Sequence, residues 1–207
     1  MKKRGLTLVE LIATLVILSI IATIVYPNVY DALKDYKQGL YDIQIQSIIG
    51  ATKDWAANNY EKLSSVNGGE TYVYLKKDLQ DGAYIDEPLK NNHKGKEFNG
   101  NVFILIKCVK VEGNLTNEEN FNYTYEVYDT NEEFLTLLAQ KYVEQNNPQN
   151  NVTLSLSDLL TAVPESEKDK LIVGSSLKNI EEGTLINSAS VIVKYADGNY
   201  TYEVKIG

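Results

Sequence analysis

One cysteine and one histidine occur among the 207 residues. The first excludes an internal disulfide framework, and the second speaks against His-rich metal or triad chemistry. Proline (4) and glycine (13) are too few, and hydrophobic residues at 43% too many, for a collagenous or disordered chain. Basic residues are scarcer than acidic ones, 20 against 28, for a formal charge of −8. That balance disfavours binding nucleic-acid backbones through the overall field. No Walker sequence, G-x-S-x-G or Ser/His/Asp set is present. The expectation is therefore no enzyme, no cofactor, no metal site and no nucleic-acid partner. The length admits one large domain or two small ones.

What is abundant is apolar sequence near the N-terminus. Met1-Lys2-Lys3-Arg4-Gly5 precedes Leu6–Tyr26, a run whose one charged residue is Glu10. As a helix it spans roughly 31 Å, the thickness of a bilayer's hydrocarbon core. The basic residues before it place the N-terminus in the cytoplasm and the rest outside. The run is longer than a secretory signal core, and Ile24-Val25-Tyr26-Pro27 is not a small-x-small cleavage site. A plain signal anchor leaves Glu10 unexplained, because an acid in a membrane helix costs about 2.5–3.5 kcal/mol.

Gly5-Leu6-Thr7-Leu8-Val9-Glu10-Leu11, with Pro27 downstream, resembles the processing site of type IV pilins and the related pseudopilins. The resemblance implies that a prepilin peptidase cuts between Gly5 and Leu6 and methylates the new Leu6 amine. Glu10 is then the fifth mature residue and Pro27 the twenty-second, places where that family usually has those residue types. Leu6 departs from the Phe with which most members begin. Loss of Lys2, Lys3 and Arg4 leaves 17 basic residues against 28 acidic ones. A buried amine and a buried carboxylate each cost less when paired. Glu10 of one subunit is therefore expected to neutralise the Leu6 amine of a neighbour and set the register of packed helices.

Apolar residues continue past the membrane at Val29, Leu33, Tyr36, Leu40, Ile43, Ile48, Ala51 and Trp55, an amphipathic stripe. One helix from Leu6 to about Asn59 is expected, kinked at Pro27. Gly39 and Gly50 weaken it, either as tolerated interior glycines or as points that melt when subunits pack. Ala13, Ser19 and Ala22 permit close helix approach.

The remainder is written twice. Asn122-Tyr123-Thr124-Tyr125-Glu126-Val127 recurs at Asn199–Val204, Leu89-Lys90-Asn91 at Leu177-Lys178-Asn179, and Val102-Phe103-Ile104 aligns with Val191-Ile192-Val193. The spacing between matches shrinks from 89 to 77 residues across Glu112–Phe121, a longer loop in the first copy. Strands are expected at Tyr72–Leu75, Asn101–Val111, Asn122–Tyr128, Ser188–Ala196 and Asn199–Ile206, with a short turn at Lys77–Gln80. Thr130-x-x-Glu133 opens a helix to about Gln145, and Asp197-Gly198 signals a hairpin. A single irregular head is the alternative to two heads; two would leave a protease-sensitive connector near Asp129–Glu132.

The reading is α+β: a leader (1–5), a stalk helix (6–63, with 6–26 transmembrane), and two pilin-like heads (64–129 and 130–207). Each head is a helix packed on an antiparallel β-sheet, a sheet similar to that of pilins from Gram-positive bacteria. Cys108 alternates with Ile104 and Ile106 as a small hydrophobe, and His93 sits in a polar turn. The acidic pairs Glu118-Glu119, Glu132-Glu133 and Glu181-Glu182 lack calcium-loop spacing. Tyr-rich strands serve cross-strand packing or an adhesive surface. The resemblance implies a structural pilus subunit, in particular a minor pilin, with heads exposed for adhesion. Implied partners are other pilin subunits, the prepilin peptidase, the assembly platform and ATPase, and the cytoplasmic membrane before export to an extracellular pilus. A pseudopilin of a secretion or DNA-uptake machine and a non-polymerising single-pass surface protein remain as alternatives.

Overall fold

The computed structural model describes residues 7–86, 89–91, 95–111 and 121–207. The leader, Leu6, His93, Glu118-Glu119 and most of the 112–121 loop lie outside the described residues. Helix α1 runs Leu8–Asn58 without interruption, about 77 Å by the usual rise. It passes through Pro27 as one element. A proline offers no N–H to the preceding turn; here the Asn28 side-chain amide donates to the Ile24 carbonyl at 3.1 Å. Every residue from Thr7 to Gly39 is exposed, and the helix is first fully covered at Ile48. Its stripe thus divides: Ile48, Ala51 and Trp55 are buried, while Val29, Leu33, Tyr36 and Ile43 stay exposed.

After a 3-10 turn at Tyr60–Lys62, β1 (Glu70–Tyr74) leads into a π-helical turn, Leu75–Gln80. A small hairpin follows, β2 (Lys90–Asn91) with β3 (Lys96–Glu97), then β4 (Phe103–Lys110) and β5 (Phe121–Tyr128). The first sheet is antiparallel in the order β1-β4-β5. Helix α2 (Asn131–Asn146) starts where the Thr130 hydroxyl accepts the Glu133 N–H and ends on Asn147 at φ 43°. Then come β6 (Val152–Ser155), α3 (Leu156–Thr161), a 3-10 turn (Glu165–Glu167) and α4 (Lys168–Leu171). A three-stranded sheet of β7 (Ile172–Val173), β8 (Ser176–Lys178) and β9 (Leu185–Ile186) precedes β10 (Ala189–Ala196) and β11 (Asn199–Ile206). The last main sheet is ordered β6-β10-β11, the same antiparallel pattern as the first. Asp197 and Gly198 close its hairpin at φ 51° and 81°, the left-handed pair of a type I′ turn.

The pairing shifts one of the expected repeat alignments by two residues. Val127 faces Ile104 and its counterpart Val204 faces Val191. Ile104-Leu105-Ile106, not Val102-Phe103-Ile104, is therefore equivalent to Val191-Ile192-Val193. A shift of two leaves every side chain on its original face, so apolar alternation alone does not distinguish the registers. The corrected register superposes two ion pairs, Lys107–Glu126 at 3.2 Å and Lys194–Glu203 at 3.1 Å.

The helices and sheets stack in layers. One face of the first sheet (Val73, Ile104, Ile106) packs on α1 residues Ile48, Ala51 and Trp55. Its other face (Tyr74, Phe103, Leu105) packs on α2, and α2 in turn packs on Val191, Val193 and Leu154 of the second sheet. The order is α1, sheet, α2, sheet. Phe103 is the pin at the centre: its ring stands edge-on to Phe134 at 5.2 Å and lies within 6.2 Å of Tyr72, Tyr74 and Tyr128. The outer face of the second sheet, with Thr153, Lys194, Thr201 and Glu203, is exposed.

Candidate assembly helix and head surface

The sequence-predicted assembly residues fall on the projecting half of α1. Thr7 caps it. The Thr7 N–H and hydroxyl each donate to Glu10 Oε2 at 2.8 Å, and the Glu10 N–H returns a bond to Thr7 Oγ1 at 3.3 Å. This is a reciprocal capping box. It satisfies part of a carboxylate that would otherwise stand alone in an apolar run, and among the described residues Oε1 carries no bond. The cap is legible as Thr7-x-x-Glu10, the same signature as Thr130-x-x-Glu133, a role for Glu10 beside the expected pairing with a neighbour's amine. Gly5 and Leu6, the expected cleavage and methylation positions, lie outside the described residues.

The other polar side chains of the run turn inward on their own backbone. Thr14 donates to the Leu11 carbonyl at 2.8 Å, Ser19 to Leu15 and Thr23 to Ser19 at 2.7 Å. Such bonds leave the outer surface dry, as a hydrocarbon environment requires. Tyr26 and Tyr30 stack at 6.4 Å where the apolar run ends, the amphipathic ring pair expected at a membrane interface. This is one helix long and apolar enough to cross a membrane, and its most apolar window has no buried residue. The small residues Ala13, Ser19 and Ala22 are exposed on it.

In the head, Cys108 is buried beside Ile106 on the face turned to α1, as a small hydrophobe. Tyr123, Tyr125, Tyr200 and Tyr202 are half-buried, each pair packed against the core shared with its unit's helix. Glu132 and Glu133 occupy the first turn of α2, where the helix dipole favours acids. Glu181 has a role not foreseen: its Oε1 accepts the Asn131 N–H at 2.8 Å.

That bond belongs to a polar seam around the junction of 64–129 with 130–207, which Tyr74–Glu167 and Lys141–Glu70 cross. Asp129, 4% exposed, accepts from the Tyr41 hydroxyl at 3.0 Å and the Asn91 amide at 2.9 Å. Asn131 donates to Asn179 Oδ1 and accepts the Ile180 N–H. The buried carboxylate of Glu167 accepts from the Tyr74 hydroxyl at 2.6 Å and from Lys170 at 3.0 Å. Lys141 of α2 pairs with Glu70 of β1. Burial, and then these carboxylates, push the Tyr41, Tyr72 and Tyr74 hydroxyls well above their ordinary range. The expected open connector at Asp129–Glu132 is instead built into this seam, with Asp129 and Asn131 buried.

Residues 1–26 match the family described as the prokaryotic N-terminal methylation motif, the signal of type IV pilins and pseudopilins. The motif points to a structural subunit precursor that assembles with other pilin-type subunits after processing. No curated protein and no solved structure gives a significant match to the chain.

Proposed function

We propose that the chain is a minor pilin of a type IV pilus. The prepilin peptidase cuts after Gly5 and methylates Leu6. The helix then leaves the membrane and packs among its equivalents in an extracellular filament, driven by the platform and ATPase. The observation that carries this reading is the methylation motif on a helix whose apolar surface remains exposed from Leu8 to Ile43. A bilayer covers only about 30 Å of such a helix. The uncovered stretch beyond Pro27, with Val29, Leu33 and Tyr36, needs protein neighbours.

Glu10 sets the register. Its free oxygen accepts the methylated amine of the adjoining subunit while Thr7 holds the other oxygen. The head is divided at 64–129 and 130–207, two pilin-like units welded by the seam and presented for contact with other surfaces. Mass spectrometry of the protein from cells should find Leu6 as a methylated N-terminus; an intact Met1 would place it with single-pass anchors. Glu10→Ala should be processed normally yet enter filaments at least about tenfold less often, since the partnerless amine is left in an apolar lattice. Incorporation at the wild-type rate would refute the pairing.

A further inference from the structure

Two clefts meet at the seam. One, about 600 Å³, is walled by Lys76, Lys77, Lys170, Lys178, Asn99 and Asn101. The other, about 360 Å³, shares Lys77 and Lys170 with it and continues toward Trp55 and Lys62. The smaller cleft is also lined by Glu70, Asp78 and Glu167, which balance its lysines; the larger, between the π-helical turn and the segment 164–178, is the groove of interest. Four lysines in the larger cleft face two aspartates, Asp81 and Asp169, in a chain of formal charge −8. Lys170 is held by Glu167, but among the described residues no carboxylate pairs with Lys76, Lys77 or Lys178. The three unpaired lysines outnumber the two aspartates, so the larger cleft is locally positive.

The wall is shaped to hold them. A Cβ on Gly100 would stand 3.0 Å from Lys76 Cβ and Cδ, so glycine lets the lysine stem lie along the backbone. Asn99 Oδ1 accepts the Asn101 N–H at 2.9 Å, and the Asn101 amide reaches the Asn179 carbonyl at 3.4 Å. The back wall is fixed by the Tyr74–Glu167 bond.

We infer that this groove binds a short stretch of a sugar or polyol chain bearing acidic groups, phosphate or carboxylate. The unpaired ammonium groups meet the acids, and as compact point charges they suit either kind. The amides, together with Asp81 and Asp169, meet the hydroxyls. A DNA backbone has no free hydroxyls between its phosphates for these groups to meet. This deepens the proposed role of the head as a contact surface and rests on it, yet its test is independent of N-terminal processing.

The full chain in detergent micelles would be titrated calorimetrically with a glycerol-phosphate hexamer and a galacturonate hexamer. An uncharged glucose hexamer and a 12-nucleotide single-stranded DNA would serve as comparisons. At least one acidic hexamer should bind, more weakly as salt rises, and whichever binds tells phosphate from carboxylate. The K76Q/K178Q double variant should lose about tenfold in affinity while melting no lower than wild type. Lys194→Gln, on the outer face of the second sheet, should bind as wild type. The inference falls if neither acidic hexamer binds, if the glucose hexamer binds equally well, if the double variant is unchanged, or if DNA binds most tightly.

Discussion

At the scale of single residues, the groups least legible in the sequence are the buried polar ones around the junction of 64–129 with 130–207. Asp129, Asn131 and Glu167 are buried, and nothing local in Tyr-Asp-Thr-Asn or Glu-Ser-Glu says so. Their partners are 38 to 93 positions away in sequence, so burial follows from tertiary layering that composition does not encode. Cys108 and the apolar alternation of β4 were legible because a strand's two faces are written in its own sequence. Asp129→Ala should test the part of this cluster that ties α1 and β2 to the start of α2. It removes a buried acceptor of two hydrogen bonds, and bonds to charged groups contribute about 1.5–3 kcal/mol each before relaxation. A loss of about 2–4 kcal/mol in urea unfolding is expected, whereas a loss below about 0.5 kcal/mol would show Asp129 idle.

At the scale of elements, periodicity located α1, α2 and the four long strands β4, β5, β10 and β11 to within a few residues. It did not yield the segment 152–187, where β6, α3, α4 and β7–β9 are each two to six residues long. Pieces so short carry too few repeats for a period to show. Within α1, Gly39 and Gly50 have open space where a Cβ would stand. Close packing inside the subunit therefore does not demand glycine at either place. Gly50→Ala should stabilise the isolated subunit by about 1 kcal/mol in thermal melting. If local melting accompanies assembly, the same substitution should lower filament yield; an unchanged yield would mark these glycines as tolerated interior positions.

At the scale of the whole molecule, the layers share packed faces and so unfold together. One denaturation transition is expected by circular dichroism and tyrosine fluorescence alike. Alkali should reveal the same coupling. Tyr41, Tyr72, Tyr74 and Tyr128 are all held above the ordinary phenol range by burial and by nearby carboxylates. Above pH 10 the unfolded chain sheds these protons and the folded one keeps them, so stability is full below that pH and falls as pH rises. For each hydroxyl that must stay protonated the loss is about 1.4 kcal/mol per pH unit. Tyrosinate absorbance at 295 nm should therefore rise gradually for the exposed tyrosines such as Tyr26, Tyr30, Tyr36 and Tyr60, while the share of these four appears only together with unfolding. Full ionisation of all 15 tyrosines with the fold intact would contradict the burial of these rings.

Both sheets carry an ion pair on the side away from their own helix, Lys107–Glu126 on the first and Lys194–Glu203 on the second, but only the first also sets Phe103 and Leu105 there, buried against α2. A further unit spliced between the existing layers would find oil on both sides. One tacked on beyond β11 would have to strip water from the second ion pair before it could settle. An added layer would therefore gain more apolar contact in the middle of the stack than on the polar face of the second sheet.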